Sequence, residues 1–379
     1  MNFTISKTDL NNALHKVVGV VPQKTTIGIL TCILMELEEN QLSLTGTDLE
    51  ISVTHTLQVN AEEGGAVAIP AKMLQEIVKE LPDVPINISS VDGERILIKT
   101  EMGEYKISTQ PKEDFPHINI EESEQEFEIN STILNRLTQK TIFAVSTDEL
   151  RPALTGINVE ITPMDITFVG TDGHRLSKVV YKKFQAPDDA QVKIIVPTKA
   201  LNLMTRNLNG DENVRVQIGE DHIIFRLTDA VIHSKLINGT YPNYERVLPK
   251  DNDKNLQVDR DLLISTLRRI SIFTNSLTNQ VRLSITNDKV TIHSEDIEIG
   301  AEGKEVMPAQ FNGDWLQIAY NSSYLMDVLR HIDTKEIVFE LKDSGSAGIL
   351  RPAEISEEED ITMLLMPIRI NEEEPEETE

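Results

Sequence analysis

The chain has 379 residues, of which 39% are hydrophobic, and it carries a formal net charge of −26. This length can bury two or three ordinary cores, while the negative charge argues against a surface that captures nucleic acid by bulk attraction. No apolar run approaches twenty residues and no charged-then-apolar leader opens the chain, so we expect neither a membrane span nor a signal peptide. Cys32 is the single cysteine and lies in an apolar run, which predicts a buried thiol in a cytoplasmic protein.

The first third of the chain predicts two successive units, each with a strand, a helix and then several strands. Apolar residues at helical spacing indicate a helix over 9–18, followed by alternating strands at 33–37, 42–45 and 51–54. The second unit has a helix over 71–81 and strands at 86–88, 95–98 and 105–108, separated by turn signals.

The later thirds repeat this order. Their helices are predicted at 132–140, 199–207, 261–270 and 323–332. Runs of strands with single helices favour helices layered on one face of antiparallel sheets, so the fold class is α+β. Bases recur late in the six helices, at Lys16, Lys79, Arg136, Lys140, Arg206, Arg268, Arg269 and Arg330. The helix dipole alone explains such a bias, although its recurrence in an acidic chain also suggests one positive face.

The sequence repeats itself three times, at a spacing of about 125 residues. Residues 69–74 (IPAKML), 196–201 (VPTKAL) and 320–325 (YNSSYL) each follow a strand and open a helix. Thr47-Asp48 recurs as Thr171-Asp172, whereas the third repeat has 294–296 (SED) instead. We therefore predict three similar domains at 1–124, 125–251 and 252–370. Residues 371–379 hold six glutamates and no apolar residue, which predicts a disordered acidic tail.

Five segments carry a resemblance to a known family. They are 42–50 (LSLTGTDLE), 171–176 (TDGHRL), 231–236 (VIHSKL) leading to 241–244 (YPNY), 246–249 (RVLP) and 366–370 (MPIRI). In this order, on a threefold repeat, they resemble the bacterial sliding clamp, the beta subunit of DNA polymerase III. The resemblance covers the chain up to Ile370.

The resemblance implies the DNA clamp fold and a head-to-tail homodimer that closes into a ring, with inner helices and outer sheets. Such a ring encircles double-stranded DNA without sequence specificity, slides along it and acts as a processivity factor. Its implied partners are the DNA polymerase III catalytic subunit, the clamp loader and other clamp-binding proteins. No cofactor, metal or catalytic residue is implied. A topological link needs no tight phosphate contact, so a weakly basic bore can coexist with an acidic exterior.

The resemblance also implies a hydrophobic pocket between the second and third domains that binds partner peptides. One side would comprise Leu154, Thr171, Gly173, His174, Arg175 and Leu176, and the other Pro242, Val247, Met366, Pro367, Ile368 and Arg369. Leu, Val, Ile and Met suit an adaptable groove for one or two anchor side chains. The alternative is that these residues are strand ends in a core.

Two further sets of residues follow from the resemblance. Lys24 lies in a loop where the family carries a basic DNA contact, and Lys72 and Lys199 occupy equivalent helix starts; the alternative is that all three are ordinary surface lysines. The ring interface would join Tyr105 and Ile107 in the first domain to Ile272 and Phe273 in the third domain of the other copy. Edge-strand pairing with an apolar plug would cover exposed sheet edges; the alternative is that Ile272 and Phe273 face a core.

Two other classes of protein are less consistent with the sequence than a non-enzymatic clamp. A metabolic enzyme could use Asp172 and His174, but no second histidine or cysteine lies at ligand spacing and no nucleophile or phosphate-loop motif occurs. A repetitive structural or carbohydrate-binding protein would expose aromatic platforms, yet only 4% of residues are aromatic.

Overall fold

A computed structural model describes residues 1–91, 93–118 and 125–370. The predicted acidic tail, 371–379, lies outside these residues. Within them, the chain forms six α-helices and 26 strands, arranged as six successive half-repeats of one strand, one helix and three strands. The predicted number and order of helices are thereby confirmed.

The first three half-repeats span residues 2–181. The first has β1 (Asn2–Ser6), α1 (Lys7–Val18), β2 (Cys32–Glu38), β3 (Gln41–Thr47) and β4 (Ile51–Gln58), with a short β5 (Asn60–Glu63). The second has β6 (Gly65–Pro70), α2 (Ala71–Glu80), β7 (Pro85–Val91), β8 (Arg95–Lys99) and β9 (Glu104–Ser108). The third has β10 (Gln125–Asn130), α3 (Ser131–Ile142), β11 (Gly156–Ile161), β12 (Ile166–Thr171) and β13 (Arg175–Tyr181).

The last three half-repeats span residues 192–365. The fourth has β14 (Val192–Pro197), α4 (Thr198–Asn207), β15 (Asn213–Ile218), β16 (His222–Arg226) and β17 (Ala230–Lys235). The fifth has β18 (Lys254–Asp259), α5 (Arg260–Ile270), β19 (Gln280–Ile285), β20 (Lys289–Asp296) and β21 (Ala301–Pro308), with a short β22 (Gln310–Phe311). The sixth has β23 (Leu316–Asn321), α6 (Ser322–Arg330), β24 (Glu336–Leu341), β25 (Gly348–Pro352) and β26 (Glu359–Leu365).

Local sequence explains where the helices begin. The Ser6 hydroxyl accepts a hydrogen bond from the Asp9 amide at the start of α1, and the Asp259 carboxylate accepts one from the Leu262 amide at the start of α5. Pro70 and Pro197 precede α2 and α4 instead, without a side-chain cap. Each helix buries one apolar stripe, such as Leu10, Ala13, Leu14 and Val17 in α1.

The chain divides into two compact units. Unit 1 comprises Met1–Asn135 and Val196–Ile237. It contains a five-stranded sheet in the order β5-β1-β7-β8-β9 and an eight-stranded sheet in the order β10-β15-β16-β17-β4-β3-β2-β6. β4 pairs with β17, so two segments that are distant in sequence form one antiparallel sheet.

Unit 2 comprises Arg136–Ile195 and Asn238–Glu379. Its nine-stranded sheet has the order β14-β11-β12-β13-β26-β25-β24-β18-β22, with the last residues of β14 falling in unit 1. A four-stranded sheet has the order β21-β20-β19-β23. β13 pairs with β26 in this unit, in the way that β4 pairs with β17 in unit 1. This pairing places the predicted pocket residues of β13 beside the segment 366–369, which follows β26.

Candidate functional site

The site is built on the tight loop at residues 171–175, between β12 and β13. The Thr171 hydroxyl donates to the Arg175 carbonyl at 2.6 Å and accepts from the Gly173 amide at 3.1 Å. The Asp172 carboxylate accepts from the His174 and Arg175 amides at 2.8 and 2.9 Å. Gly173 has φ of +91°, a conformation that side chains other than glycine disfavour. The Thr-Asp-Gly sequence therefore fixes the loop through its own hydrogen bonds.

Arg175 connects this loop to α6. Its Nε donates to Asp172 at 3.1 Å and its Nη1 donates to Asp327 at 2.7 Å. The guanidinium also lies over the Tyr324 ring, 4.6 Å from its centroid, and 5.5 Å from the Phe143 centroid. Only 11% of the Arg175 side chain is exposed. Arg175 therefore links the loop to α6 at least as much as it offers contact area to a partner.

Residues 366–368 continue the line of β26 past the loop. The Met366 amide donates to the His174 carbonyl at 2.8 Å, and the Ile368 amide donates to the Ala319 carbonyl of β23 at 2.8 Å. Arg175 and Leu176 pair in register with Leu365 and Leu364. The structure thus brings together the residues of β13 and of the 366–369 segment that the sequence assigned to one pocket.

Two tyrosines hold the segment that carries Pro242 and Val247. The buried Tyr241 hydroxyl donates to the Val169 carbonyl of β12 at 3.2 Å, and burial raises the pKa of this phenol. Lys178 of β13 lies over the Tyr244 ring at 5.5 Å and pairs with Glu245 at 2.6 Å. The Val247 amide then donates to the Tyr244 carbonyl. The segment is therefore attached to β12 and β13, the same strands that flank the loop.

The predicted pocket residues divide by exposure. Val247 is 56% exposed and Met366 is 42% exposed, so both side chains present apolar surface to solvent. Gly173, His174, Pro242 and Arg369 are also exposed, and Pro367 and Ile368 are half-buried. Leu154, Thr171 and Leu176 are buried. The alternative of ordinary core residues fits these last three side chains and not the exposed set.

Sequence reasoning missed three residues that organise the site, namely Phe143, Tyr324 and Asp327. Tyr324 opens α6 where α2 has Met73 and α4 has Ala200. An aromatic residue at that one helix start was the available signal. Its partners could not be deduced, because Phe143 and Arg175 reach it only through the tertiary fold.

The bases late in the helices are largely engaged with acids. Lys140 is buried and pairs with Asp333 at 2.6 Å, and Arg136 pairs with Glu359 at 2.7 Å. Burial acts to raise the pKa of the Asp333 carboxyl, but hydrogen bonds from Lys140 and Arg136 outweigh it and hold that pKa below its usual value. Lys16 and Arg269 pair with Asp229 and Glu305. The suggestion that these bases form one positive face is wrong for Lys140, which is buried and reaches inward to the His331 carbonyl and Asp333.

The three predicted DNA lysines have different surroundings. Lys24 is exposed in the loop after α1. The Lys72 side chain is 87% exposed and lies 3.9 Å from Glu76 on the same helix. Lys199 is more constrained, since its Nζ lies 2.5 Å from Asp48 and 3.2 Å from the Val20 carbonyl. Its ammonium group is therefore already engaged in contacts within unit 1.

The predicted interface residues lie at the edges of two sheets. β9, which contains Tyr105 and Ile107, is an edge strand of the five-stranded sheet. Tyr105 is 38% exposed, whereas Ile107 is 2% exposed and packs within its own unit, so it offers only its backbone at this edge. Ile272 is 74% exposed beside β21, the edge strand of the four-stranded sheet. Phe273 is half-buried against Gly303.

The described residues contain no group of three or more histidine, cysteine or acidic side chains placed to hold a metal ion. Asp172 and His174 are joined by a hydrogen bond from the His174 backbone amide to the carboxylate, not by the imidazole. The pair therefore orders the loop, and the geometry gives no support to an enzyme that uses it.

Comparisons with known proteins agree along nearly the whole chain. The N-terminal, central and C-terminal domains of the DNA polymerase III beta subunit match residues 1–119, 128–243 and 245–369. The chain belongs to the DNA polymerase III beta subunit family. The resemblance seen in the sequence is thereby confirmed, as are three repeated domains of antiparallel sheets with few helices. Membership of this family makes the chain a non-catalytic protein.

Individual relatives support the assignment. The beta sliding clamp of Pseudomonas aeruginosa is 35% identical over 98% of this chain and 100% of its own length. The beta sliding clamp of Escherichia coli K12 is 32% identical over the same shares. A crystal structure of the Pseudomonas aeruginosa clamp bound to griselimycin has a TM-score of 0.93 and 34% identity, covering 98% of this chain and 100% of that one. The Bacillus subtilis clamp has a TM-score of 0.91 and 27% identity, with the same coverage.

Among the helices that the structure describes, none is long and apolar enough to cross a membrane.

Proposed function

We propose that this protein is a processivity factor for DNA replication. Two copies close head to tail into a ring that encircles double-stranded DNA, slides along it and tethers the replicative polymerase and other DNA-handling proteins. Full-length similarity to beta sliding clamps carries the proposal. The domain limits 1–124, 125–251 and 252–370 are part of the proposal and are supported by the three family matches. A cytoplasmic location is also part of it, because the protein would act on chromosomal DNA.

The ring can be tested by topology. The protein, loaded onto nicked circular DNA by a clamp loader and ATP, should stay bound in high salt and should be lost when the circle is cut. Equal retention on circular and linear DNA would mean ordinary surface binding and would refute the ring.

The proposed interface pairs β9 of one copy with β21 of the other, with Ile272 as an apolar plug. Ile272→Asp should convert the dimer to monomer in sedimentation and abolish retention on the circle, because it places a charge in an apolar contact. Ile355→Asp is the matched control, since Ile355 is 94% exposed and belongs to the loop between β25 and β26, not to β9, β21 or the segment of Ile272. A dimeric I272D variant would show that this contact is misplaced.

The pocket at loop 171–175 is proposed to bind partner peptides, with Met366 and Val247 as exposed apolar contacts. A griselimycin-bound clamp from Pseudomonas aeruginosa supplies a probe. Met366→Asp should weaken griselimycin binding by at least tenfold in calorimetry, while Met164→Asp should leave it unchanged. Met164 is a suitable control because it is 76% exposed, on the β11–β12 turn. Equal effects of the two substitutions would contradict the assignment.

DNA contacts are proposed at Lys24, Lys72 and Lys199. The side chains of Lys24 and Lys72 are less constrained than that of Lys199. Lys24→Gln and Lys72→Gln should each weaken salt-sensitive DNA binding modestly and equally on unrelated sequences, because phosphate contacts carry no base information. Lys199→Gln should act mainly on stability, through the loss of its pair with Asp48. A sequence-dependent loss would be inconsistent with encirclement.

A further inference from the structure

Unit 1 contains a second copy of the loop that organises the candidate site. In residues 47–51, the Thr47 hydroxyl donates to the Ile51 carbonyl at 2.9 Å and accepts from the Leu49 amide at 3.0 Å. The Asp48 carboxylate accepts from the Glu50 and Ile51 amides at 3.0 and 2.7 Å. Leu49 has φ of +78°, in the place of Gly173. The hydrogen bonds match those of loop 171–175 one for one.

The flanking strands repeat as well. Ile51 pairs with Ser234 as Arg175 pairs with Leu365. The Lys235 amide donates to the Glu50 carbonyl at 2.9 Å, as the Met366 amide donates to the His174 carbonyl at 2.8 Å. The backbone framework of the partner pocket is thus present twice, once in each unit.

The third part of the framework is the segment 110–118, the counterpart of the segment held by Tyr241. Gln110 and Ala68 exchange backbone hydrogen bonds at 2.8 and 3.0 Å. Phe115 is 4% exposed and packs with Cys32 and Ala68. Pro116, His117 and Ile118 are thereby held as a wall above the strands, as Tyr241 holds Pro242.

Two adjoining cavities open between this wall and the sheet, and every residue that lines them belongs to unit 1. The larger is about 460 Å³, and hydroxyl side chains form its floor, at Ser43, Thr45, Ser52 and Thr54. The smaller is about 140 Å³ and is bounded by Leu49, Ile51, Pro116 and Ile118. The two share Ser52, His233 and the wall residues Pro116, His117 and Ile118. The result is a groove with an apolar end and a polar floor.

The charge of this groove differs from that of the partner pocket. Glu36, Glu50 and Glu113 line it, against one lysine, Lys112. Lys235, beside it, is paired with Glu50 at 3.1 Å, so Glu36 and Glu113 are the acids that give the groove its negative charge. The pocket in unit 2 instead has the exposed Arg369 among its predicted residues, while its Arg175 is paired with Asp172 and Asp327. A ligand of this groove should therefore be cationic, because a carboxylate-lined cleft attracts and orients positive charge.

We propose that this groove is a second docking site, which takes an extended segment of a partner protein carrying an aliphatic side chain and a nearby lysine or arginine. The aliphatic side chain enters the cavity bounded by Leu49, Ile51 and Ile118. The basic side chain lies over the hydroxyl floor toward Glu36 and Glu113. One chain then offers two peptide sites of the same architecture and different charge, so two partners can bind without competing for one pocket.

The test uses the full-length protein and a synthetic heptapeptide array. Each peptide has one Leu, Ile or Met, and one Lys or Arg placed one to three positions away, in an alanine and serine background; a matched array carries glutamate in place of the base. We expect saturable binding of basic members in fluorescence anisotropy, with at least fivefold weaker binding by the glutamate array.

Variants then locate the binding. Leu49→Ser and the double variant Glu36→Gln with Glu113→Gln should each weaken the basic peptides at least fivefold, while Met366→Ser should not. The griselimycin titration should show the reverse pattern, so failure of this groove is distinguishable from failure of the partner pocket. Should Leu49→Ser fold poorly, the glutamine double variant decides alone, since Glu113 is exposed and Glu36 half-buried.

Three results would overturn the proposal. One is the absence of saturable binding by any basic member up to about 1 mM, a dissociation constant that corresponds to only about 4 kcal/mol. Another is binding that Met366→Ser removes and the unit 1 variants do not. The third is equal binding of the basic and glutamate arrays, which would refute the charge preference.

Discussion

Loop 171–175 of unit 2 and loop 47–51 of unit 1 share one set of hydrogen bonds and differ in almost everything attached to them. In unit 2, Asp172 binds Arg175, which is clamped between two aromatic rings and Asp327. In unit 1, Asp48 binds Lys199, and Ile51 stands where unit 2 has Arg175. The Thr-Asp pair therefore specifies a backbone shape, and side chains from distant elements decide what that shape can bind.

The largest difference in stability between the two loops is expected when the cation that pairs with each loop aspartate is removed. Arg175→Met should lower the free energy of unfolding by about 2–4 kcal/mol, because it removes the largely buried cation that pairs with both Asp172 and Asp327. Lys199→Met should cost under about 1 kcal/mol, since Lys199 is 45% exposed and water replaces it. Urea unfolding of the two variants measures both values, and equal losses would show that the two ties are equivalent.

Substitution of the residue with positive φ should change the stability in opposite directions in the two loops. Gly173→Ala should destabilise by about 1–2 kcal/mol, because alanine disfavours φ of +91° although no atom blocks its Cβ. Leu49→Gly should stabilise by up to about 1 kcal/mol through relief of the same strain at φ of +78°. Thermal unfolding of both variants beside wild type provides the measurement. A loss of stability in L49G would indicate that its side chain contributes more packing than its 47% exposure suggests.

Acid should act on both units through two histidines, the buried His55 in unit 1 and the half-buried His331 in unit 2. Burial lowers the pKa of His331, which stacks on Phe143 at 4.0 Å and contacts the Asp327 carbonyl, and burial also lowers the pKa of His55, against the attraction of Asp229. A folded-state pKa below the unfolded value of about 6.5 means that the unfolded chain takes up the proton first. Stability is therefore complete above about pH 6.5 and declines as the pH falls below it.

Urea midpoints at pH 7.5, 6.5 and 5.5 test this sign. His331→Asn should flatten the acid-side decline, because asparagine keeps a donor near Asp327 and does not titrate. Adding His55→Asn should flatten it further. An unchanged pH profile in both variants would assign the decline to other groups.

The smallest effect is expected from the acidic tail. Deleting residues 371–379 removes six glutamates that follow the pocket segment by one residue. A pocket-binding peptide with an acidic flank should then bind a few-fold more tightly at low salt, and the gain should fade at about 1 M salt, where screening acts over about 3 Å. A neutral-flanked peptide is the control. An unchanged peptide affinity at low salt would show that the tail plays no part in partner selection.

Much of the fold followed from periodicity and repetition. All six helices lie where apolar spacing placed them, and the half-repeat order was visible from the first third of the chain. Helix α6 ends at Arg330 where the pattern continued to 332, a difference typical of helix ends. The pocket residues came from family resemblance, and the structure brings the β13 and 366–369 segments together.

What the sequence could not provide was pairing across long distances. Nothing local indicates that Arg175 meets Tyr324, or that Lys199 is tied to Asp48 and so is a constrained DNA contact. Lys140 likewise occupies a late helical position like the other bases, yet its side chain is buried and pairs with Asp333. The second groove was also beyond reach, since its floor and its wall come from separate parts of unit 1.

The pairing of β4 with β17 has a consequence for synthesis. β4 ends at Gln58 and its neighbour β17 ends at Lys235, so the edge of β4 has no native partner until the ribosome has made the residues between them. At about 5–20 residues per second, that interval is roughly 10–35 s. During it, a nascent chain presents an open strand edge, which is the feature most prone to aggregation. Protection of the growing chain, more than the stability of the finished one, should therefore limit the yield of correctly folded protein.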